Sequence, residues 1–352
     1  MRRLFWTFAA LAVGVLCSCS KEAMSSGDDN AISLVPVMDK EDVLTRGASL
    51  YQDENSLRSD LFHTRAYLSG TTDTYFSSHV KYSTENVDDA SKHQWLFYTP
   101  AADGNTASYD NYYWPLTNSL DFFAYAPVGN GYVEPNYSTN PPKFTATMPL
   151  TNTDTAVHQD AMKEFMFAYV PNKDKTSGPV PIAFQHPFAA IRFKVSQSHR
   201  DLTVKTITVS NIAYKGTHSL EKKTDGTYTP QWTSMTSGNM VLSINKIIPG
   251  EVNFGGELGG PYLVLPQDNS TAEANKKTVQ VKFHWIGNQD SNWTAVEGET
   301  ATYTITGKIS NDWQAGKVYT YTIDLGNSRE EILFKVSVED WAFVYNHTFD
   351  IE

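Results

Sequence analysis

Cysteine is almost absent from this chain of 352 residues. Its two cysteines, Cys17 and Cys19, lie near the start, and none follows them. A disulfide between them would close a very small, strained ring, and a metal site would need further cysteine or histidine ligands nearby. We therefore expect a folded body without a disulfide, stabilised by packing alone.

Other absences restrict the function. The 39 acidic residues outnumber the 28 basic ones, for a net charge of −11, which argues against a nucleic-acid partner. The histidines form none of the paired spacings typical of metal sites, and the sequence contains no nucleophile elbow or phosphate-binding loop. We therefore predict a protein that is not an enzyme and has no cofactor or metal. Calcium binding and a hydrolase site hidden in the sequence stay open.

The N-terminus carries one uncharged apolar run, at residues 4–16, preceded by two arginines. It has the length of a signal-peptide core and is too short to span a membrane as an anchor. The letters after it resemble a bacterial lipobox, with Leu16 three positions and Ser18 one position before Cys19. The resemblance implies a signal peptide over residues 1–18, lipidation of Cys19 and an outer-membrane lipid anchor at the cell surface. An ordinary secretory signal with an incidental cysteine is the alternative.

Residues 19–46 combine a polar start with one short apolar run. Small and polar residues directly after the cysteine are typical of a flexible tether. The run ISLVPVM at residues 32–38 is strand-like, and Pro36 within it favours an edge position over a central one. We interpret residues 19–46 as a tether that carries a first strand.

The remaining sequence predicts strands throughout. Short aromatic or alternating runs are separated by turn residues at 93–100, 112–116, 120–128, 182–197, 202–212, 262–266, 278–286, 301–309, 316–325 and 332–341. In one of these runs Ile191, Phe193 and Val195 alternate with Arg192 and Lys194, so the apolar set should face the core. These runs predict an all-β protein of antiparallel sandwiches. The chain length suggests two domains, which we place at residues 47–198 and 199–352.

A few stretches are less regular. Residues 161–171 fit a helix or a turn leading into a strand, and the glycine-rich stretch 254–262 is interpreted as a loop. His186, between aromatic residues, is interpreted as a half-buried histidine with a hydrogen-bond partner rather than as a metal ligand.

Four motifs, in this order and spacing, resemble the fimbrillin family, the lipoprotein pilins of type V pili, and in particular its minor-fimbrillin-like group. They are YWPLTNSLDFFAYAP at 113–127, PIAFQHPFAAIRFKV at 181–195, WQAGKVYTYTIDL at 313–325 and ILFKVSVEDW at 332–341. The resemblance implies two transthyretin-like β-sandwich domains and a structural subunit of a cell-surface pilus that serves adhesion. Its implied partners are other pilus subunits, the outer membrane, and a host or bacterial surface ligand.

The resemblance also implies a proteolytic step. In this family an arginine-specific protease cuts after an early arginine, and the matching bond here joins Arg46 to Gly47. Loss of residues 32–38 would open an apolar groove that a strand of another subunit can fill. The alternative is that Arg46 is an exposed loop residue and the first strand stays in place.

The C-terminus departs from the family pattern. Polymerising stalk subunits use an extended C-terminal segment as donor strand, whereas here only AFVYNHTFDIE follows Trp341. The more apolar face of this candidate donor strand carries Tyr345, His347, Phe349 and Ile351. An anchor or tip subunit that does not polymerise is therefore one alternative.

A glycan-binding surface lipoprotein of a sugar-uptake system is a further alternative. Trp114, Trp285 and Trp341 would favour it if they were exposed together on one flat patch, and would oppose it if they were buried.

Overall fold

The structure is a computed structural model that describes residues 30–37, 57–84, 94–101, 108–150, 164–197, 202–249, 256–269, 277–285, 302–324 and 334–340. Its strands are β1 Leu34–Val37, β2 Leu61–Leu68, β3 Thr74–Ser83, β4 Gln94–Thr99, β5 Ser108–Asp110, β6 Leu120–Ala126, β7 Val133–Asn136, β8 Lys143–Thr147, β9 Met166–Lys173, β10 Val180–Ala183, β11 Ala189–Gln197, β12 Leu202–Lys222, β13 Tyr228–Ile248, β14 Gly256–Val264, β15 Lys277–Trp285, β16 Thr302–Ile309, β17 Lys317–Asp324 and β18 Phe334–Asp340. A short 3-10 helix spans Lys175–Ser177.

The described strands form four sheets. The first sheet has the order β5-β4-β3-β2-β6-β9, and the hairpin sheet has the order β16-β15-β12-β8-β7, with β13 paired to β12. A four-stranded sheet has the order β14-β11-β17-β18, and β1 pairs with β10 in a two-stranded sheet. The pairs β1–β10 and β11–β17 are parallel, and the other ladders are antiparallel. The predicted all-β sandwich class is confirmed.

Two clusters of buried apolar residues fill the molecule. The large core is supplied mainly by the hairpin and four-stranded sheets, with Ile207, Phe193 and Tyr321 fully buried. The small core lies on one face of the first sheet, where Phe62 and Phe122 are fully buried. Strand alternation decides which core a residue joins, because successive side chains of a strand point to opposite faces.

The predicted domain border at residues 198 and 199 stays a prediction. Strand β11 precedes that border, and both of its ladders, to β14 and β17, join it to strands that follow the border. Likewise β8 pairs with β12. Sheet pairing therefore crosses this point of the sequence in two places.

Most predicted strands of the second half are confirmed, and the differences have local causes. The run 112–116 forms an isolated bridge between Ala31 and Tyr113 rather than a strand. Residues 256–262 of the glycine-rich stretch, predicted as a loop, instead form the first part of β14, where Gly260 has a φ of 108° and a Cβ would lie 2.9 Å from the carbonyl oxygen of Ile191. Glycine thus permits close pairing with β11 there.

Strand β11 follows the predicted alternation, with one difference. Ile191, Phe193 and Val195 are fully buried, as predicted. The opposite face is not solvent, however: Arg192 is only 5% exposed, and its Nη1 lies 3.8 Å from Oε1 of Glu257. β11 is a central strand, paired with β14 on one side and β17 on the other, so side chains of both neighbours stand beside this arginine.

Strand β13 is a long edge strand. Within the described residues it pairs with β12 alone, and this ladder has four register shifts. Ser234 and Asn245 have positive φ values of 53° and 46°, and the strand also contains Pro230 and Lys246. Bulges, proline and lysine are the features by which natural edge strands avoid pairing with other chains.

Candidate functional site

The first-strand segment, residues 30–37, covers one side of the small core. Alternation along β1 points Leu34 and Pro36 inward and leaves Val35 and Val37 about two-fifths exposed. Ile32, just before β1, is also buried. Among the described strands β1 has β10 as its single ladder partner, so the edge position predicted from Pro36 is confirmed.

Backbone hydrogen bonds hold this segment on two sides. They join Val180 N to Ser33 O (2.8 Å), Phe184 N to Val37 O (3.1 Å), Ile32 N to Tyr112 O (2.7 Å) and Trp114 N to Asn30 O (3.0 Å). The β1–β10 ladder runs from the Leu34–Val180 pair to the Val37–Ala183 pair without a register shift. The segment therefore bridges β10 and the turn that contains Tyr112 and Trp114.

The side chains beneath the segment are apolar. Ile32 and Leu34 are 5% and 3% exposed and belong to the small core together with Trp114, Phe122 and Ile182. The ring of Trp114 meets that of Phe122 edge-on at 5.9 Å. If the segment left, it would uncover this apolar surface and free one edge of β10, which is the geometry that accepts an added strand.

The other predicted site residues lie outside the described part of the chain. These are the lipidation site Cys19, the cleavage pair Arg46 and Gly47, and the candidate donor-strand residues Tyr345, His347, Phe349 and Ile351. Their roles stay predictions.

The sequence did not predict either of the two elements that flank the first-strand segment. The turn at residues 112–114 was predicted as a strand, and β10 was not separated from the following run. The signal for the turn was Pro115, which cannot donate a ladder hydrogen bond.

Two buried or half-buried polar groups that could have marked a site, His186 and Asp121, already have partners. Nδ1 of His186 is bonded to Oε1 of Glu164, which confirms the interpretation of a half-buried histidine with a partner. Near one end of the first sheet, burial raises the pKa of Asp121, but hydrogen bonds to its carboxylate outweigh burial and hold that pKa below its ordinary value. The donors are Ser69 Oγ (2.6 Å), Asn172 N (2.7 Å), Asn140 Nδ2 (2.8 Å) and Gly70 N (3.2 Å). Asp121 thus joins the β2–β3 turn, the β7–β8 turn and the end of β9, and plays a structural role.

Two further findings concern the described residues as a whole. No group of three or more histidine, cysteine or acidic side chains in them is arranged to hold a metal ion. No helix in the same part of the chain is long and apolar enough to cross a membrane.

The all-β fold and the covering first strand define a class of β-sandwich proteins, and comparison identifies the family. Residues 60–341 match the family model described as fimbrillin-like, so the chain belongs to the fimbrillin-like family. No curated protein matches the sequence significantly.

Several solved structures are similar to the chain. A candidate cell adhesion protein from Bacteroides uniformis has 20% identity and a TM-score of 0.46, and the match covers 89% of this chain and 100% of that one. A fimbrial protein from Bacteroides vulgatus has 13% identity and a TM-score of 0.47, with 84% and 98% covered. The tip fimbrial protein Mfa3 from Porphyromonas gingivalis, truncated at its C-terminus, has 10% identity and a TM-score of 0.37, with 80% and 94% covered.

Proposed function

We propose that the protein is a structural subunit of a cell-surface pilus, made as a precursor anchored by a lipid on Cys19 and assembled by strand exchange after cleavage between Arg46 and Gly47 releases it from that anchor. The observation that supports this most is the seating of the first-strand segment. It completes the small core, yet belongs to neither six-stranded sheet. Family membership supports the fimbrial role.

The free energy with which the first-strand segment binds to the small core is of a size that permits exchange. Burying an aliphatic side chain contributes about 1.5–3 kcal/mol, and Ile32 and Leu34 supply two such side chains. While the segment is covalently attached, its effective concentration is high, so this contribution is enough to hold it in place. A free energy of about 4 kcal/mol corresponds to a millimolar dissociation constant, so a detached segment would leave at micromolar protein concentrations.

The vacated groove would then take a strand from another subunit. Such a strand needs alternate apolar side chains in the places of Ile32 and Leu34 and a free backbone to pair with β10. The tail residues Tyr345, His347 and Phe349 offer that alternation, which makes the tail the candidate donor.

Limited trypsin digestion tests the assembly. We expect fast cleavage after Arg46, because the sequence around it is polar, followed by conversion of monomer to oligomers in light scattering. Arg46→Gln should stay monomeric under the same treatment, and a chain that lacks residues 343–352 should be cut but should not assemble. Monomer that persists after complete cleavage would exclude a self-assembling stalk and leave an anchor or tip subunit.

Membrane partition tests the anchor separately. Cys19→Ala should abolish detergent-phase partitioning, because the thiol that accepts the lipid is gone, whereas Cys17→Ala should not change it. A Cys19→Ala protein that partitions like the unmodified chain would contradict the lipid anchor.

The tryptophan-based sugar site considered from the sequence loses support. Trp114 is only 4% exposed and packs in the small core, and the side chains of Trp285 and Trp341 lie outside the described part.

A further inference from the structure

A row of rings crosses the first sheet on the face opposite the small core. Tyr109, Tyr98, His79, His63 and Tyr125 stand directly opposite one another on β5, β4, β3, β2 and β6. Ring centroids are 5.8 Å apart for Tyr98 and Tyr109, 5.4 Å for His63 and His79, and 5.1 Å for His63 and Tyr125. We call these five residues the ring row.

The ring row passes from solvent into the protein. Tyr109 is 40% exposed, and Tyr98 and His79 are half-buried. At the other end Tyr125 packs against Phe165 of the large core, with centroids 5.7 Å apart. The accessible part of the row therefore lies on β3, β4 and β5.

Two cations lie on the same face. Lys81, on β3, places its Nζ 5.0 Å from the centroid of the Tyr98 ring. Arg65, on β2, lies 4.6 Å over the ring of Tyr137, and its Nη2 donates to Thr74 Oγ1 at 2.6 Å. These contacts hold both side chains in place before any ligand arrives.

No position of β2, β3 or β4 on this face is a carboxylate, and Asp121 of the neighbouring β6, opposite Tyr67, accepts four hydrogen bonds. The positions of β2, β3 and β4 that point away from the small core carry Leu61, His63, Arg65, Tyr67, Tyr75, Ser77, His79, Lys81, Ser83, Gln94, Leu96 and Tyr98. In a chain with a net charge of −11, these three strands therefore form a local region of positive charge on this face. Such a region attracts anions.

We propose that this face of the intact subunit binds an acidic saccharide. The polarised C–H bonds of a pyranose ring suit the electron-rich faces of Tyr98 and Tyr109, and its carboxylate or sulfate would pair with Lys81, whose Nζ lies over the Tyr98 ring. The exposed hydroxyl of Ser77, 3.1 Å from Nε2 of His63, can bond sugar hydroxyls. Rings that follow one another across neighbouring strands fit successive sugar units better than the uneven side chains of an acidic peptide.

Titration calorimetry on the uncut chain tests this proposal with 3′-sialyllactose, lactose and hexaglutamate as probes. We expect sialyllactose to bind and lactose to bind at least about fivefold more weakly, because lactose lacks the anion. Added NaCl should weaken sialyllactose binding, since the two cations are near the surface and are screened.

Two variants and one control locate the binding. Lys81→Met should weaken sialyllactose binding about fivefold while keeping the length of the side chain, and Tyr98→Ala should weaken it about tenfold. Lys222→Met is the matched control, because the Nζ of Lys222 makes the same kind of contact, 5.9 Å from the ring centroid of Tyr228, but stands on the hairpin sheet and not on the first sheet. It should leave binding unchanged.

Several outcomes would overturn the proposal. They are equal affinity for lactose, binding of hexaglutamate alone, no binding of sialyllactose at millimolar concentration, and unchanged binding by Lys81→Met. Because the uncut monomer is used, failure here leaves strand exchange standing, and failure of strand exchange leaves this site standing.

Discussion

The two cores of the protein are closed in different ways. The large core is enclosed by β-ladders of the hairpin and four-stranded sheets, with strands such as β11 and β12 paired on both sides. The small core has one side closed by residues 30–37, which pair with β10 over four residues. Opening the large core would require whole sheets to separate. Opening the small core would require only the loss of residues 30–37.

The largest expected effect comes from breaking the large core. Phe193 is fully buried, with its ring 5.7 Å from that of Tyr321, so Phe193→Ala should cost about 3–5 kcal/mol of unfolding free energy in urea denaturation. Arg192→Ala on the opposite face is the control. Its ion-pair partner Glu257 is 43% exposed, so this control should cost far less. Equal losses would mean that β11 presents its faces in another register.

Opening the small core should have a smaller and local effect. Leu34→Ala should cost about 2–3 kcal/mol and loosen the first-strand segment. Hydrogen exchange should then accelerate at the amides of Val180 and Phe184, which donate to this segment, while the amides of β17 keep their protection. Accelerated exchange throughout both cores would show that the two cores unfold as one unit.

Acid should weaken the large core through His218. Burial lowers the pKa of His218 to about 3, and its ring stacks on Phe144 at 4.4 Å. Between pH 6.5 and about pH 3 the unfolded chain binds the proton and the native one does not. The stabilising contribution of the neutral imidazole is therefore complete above pH 6.5 and is lost as the pH decreases below 6.5. From pH 7.5 to 5.0 the wild type should lose about 2 kcal/mol more than His218→Gln, since each pH unit corresponds to about 1.4 kcal/mol. If urea titrations showed the same loss of unfolding free energy for the wild type and for His218→Gln, the imidazole would be exposed to solvent.

The smallest effect is expected on the outer side of the segment. Val35 is 41% exposed, so Val35→Ser should change the unfolding free energy by no more than about 0.5 kcal/mol. Cleavage after Arg46 should also proceed at the wild-type rate. A loss as large as that of Leu34→Ala would indicate that β1 shows its other face to the small core.

Alternation made much of this fold predictable. Runs such as Val279, Val281 and Phe283 place one side chain in two against the core, and all three are buried. The edge position of β1 followed from Pro36, because proline cannot donate to a second neighbour.

The elements that could not be predicted are strands without a hydrophobic pattern and pairings between residues far apart in the sequence. Most of β13 is polar and does not alternate, since an edge strand packs little of its surface, so the sequence around Thr233 gave no strand signal. The parallel partner of β11 lies more than a hundred residues away, at β17, and the ring row depends on the register of five strands. Single-sequence patterns carry no information on such pairings.

The irregular edge of β13 has a consequence for crowding. Proteins held side by side on a surface meet at concentrations at which exposed strand edges join into fibrous aggregates. Along β13 the left-handed Ser234 and Asn245, together with Pro230, interrupt any long ladder that a neighbour could form. The regular edge of β10 is hidden beneath β1 at the same time. In the intact protein these two edges are therefore poor templates for a neighbour's strand.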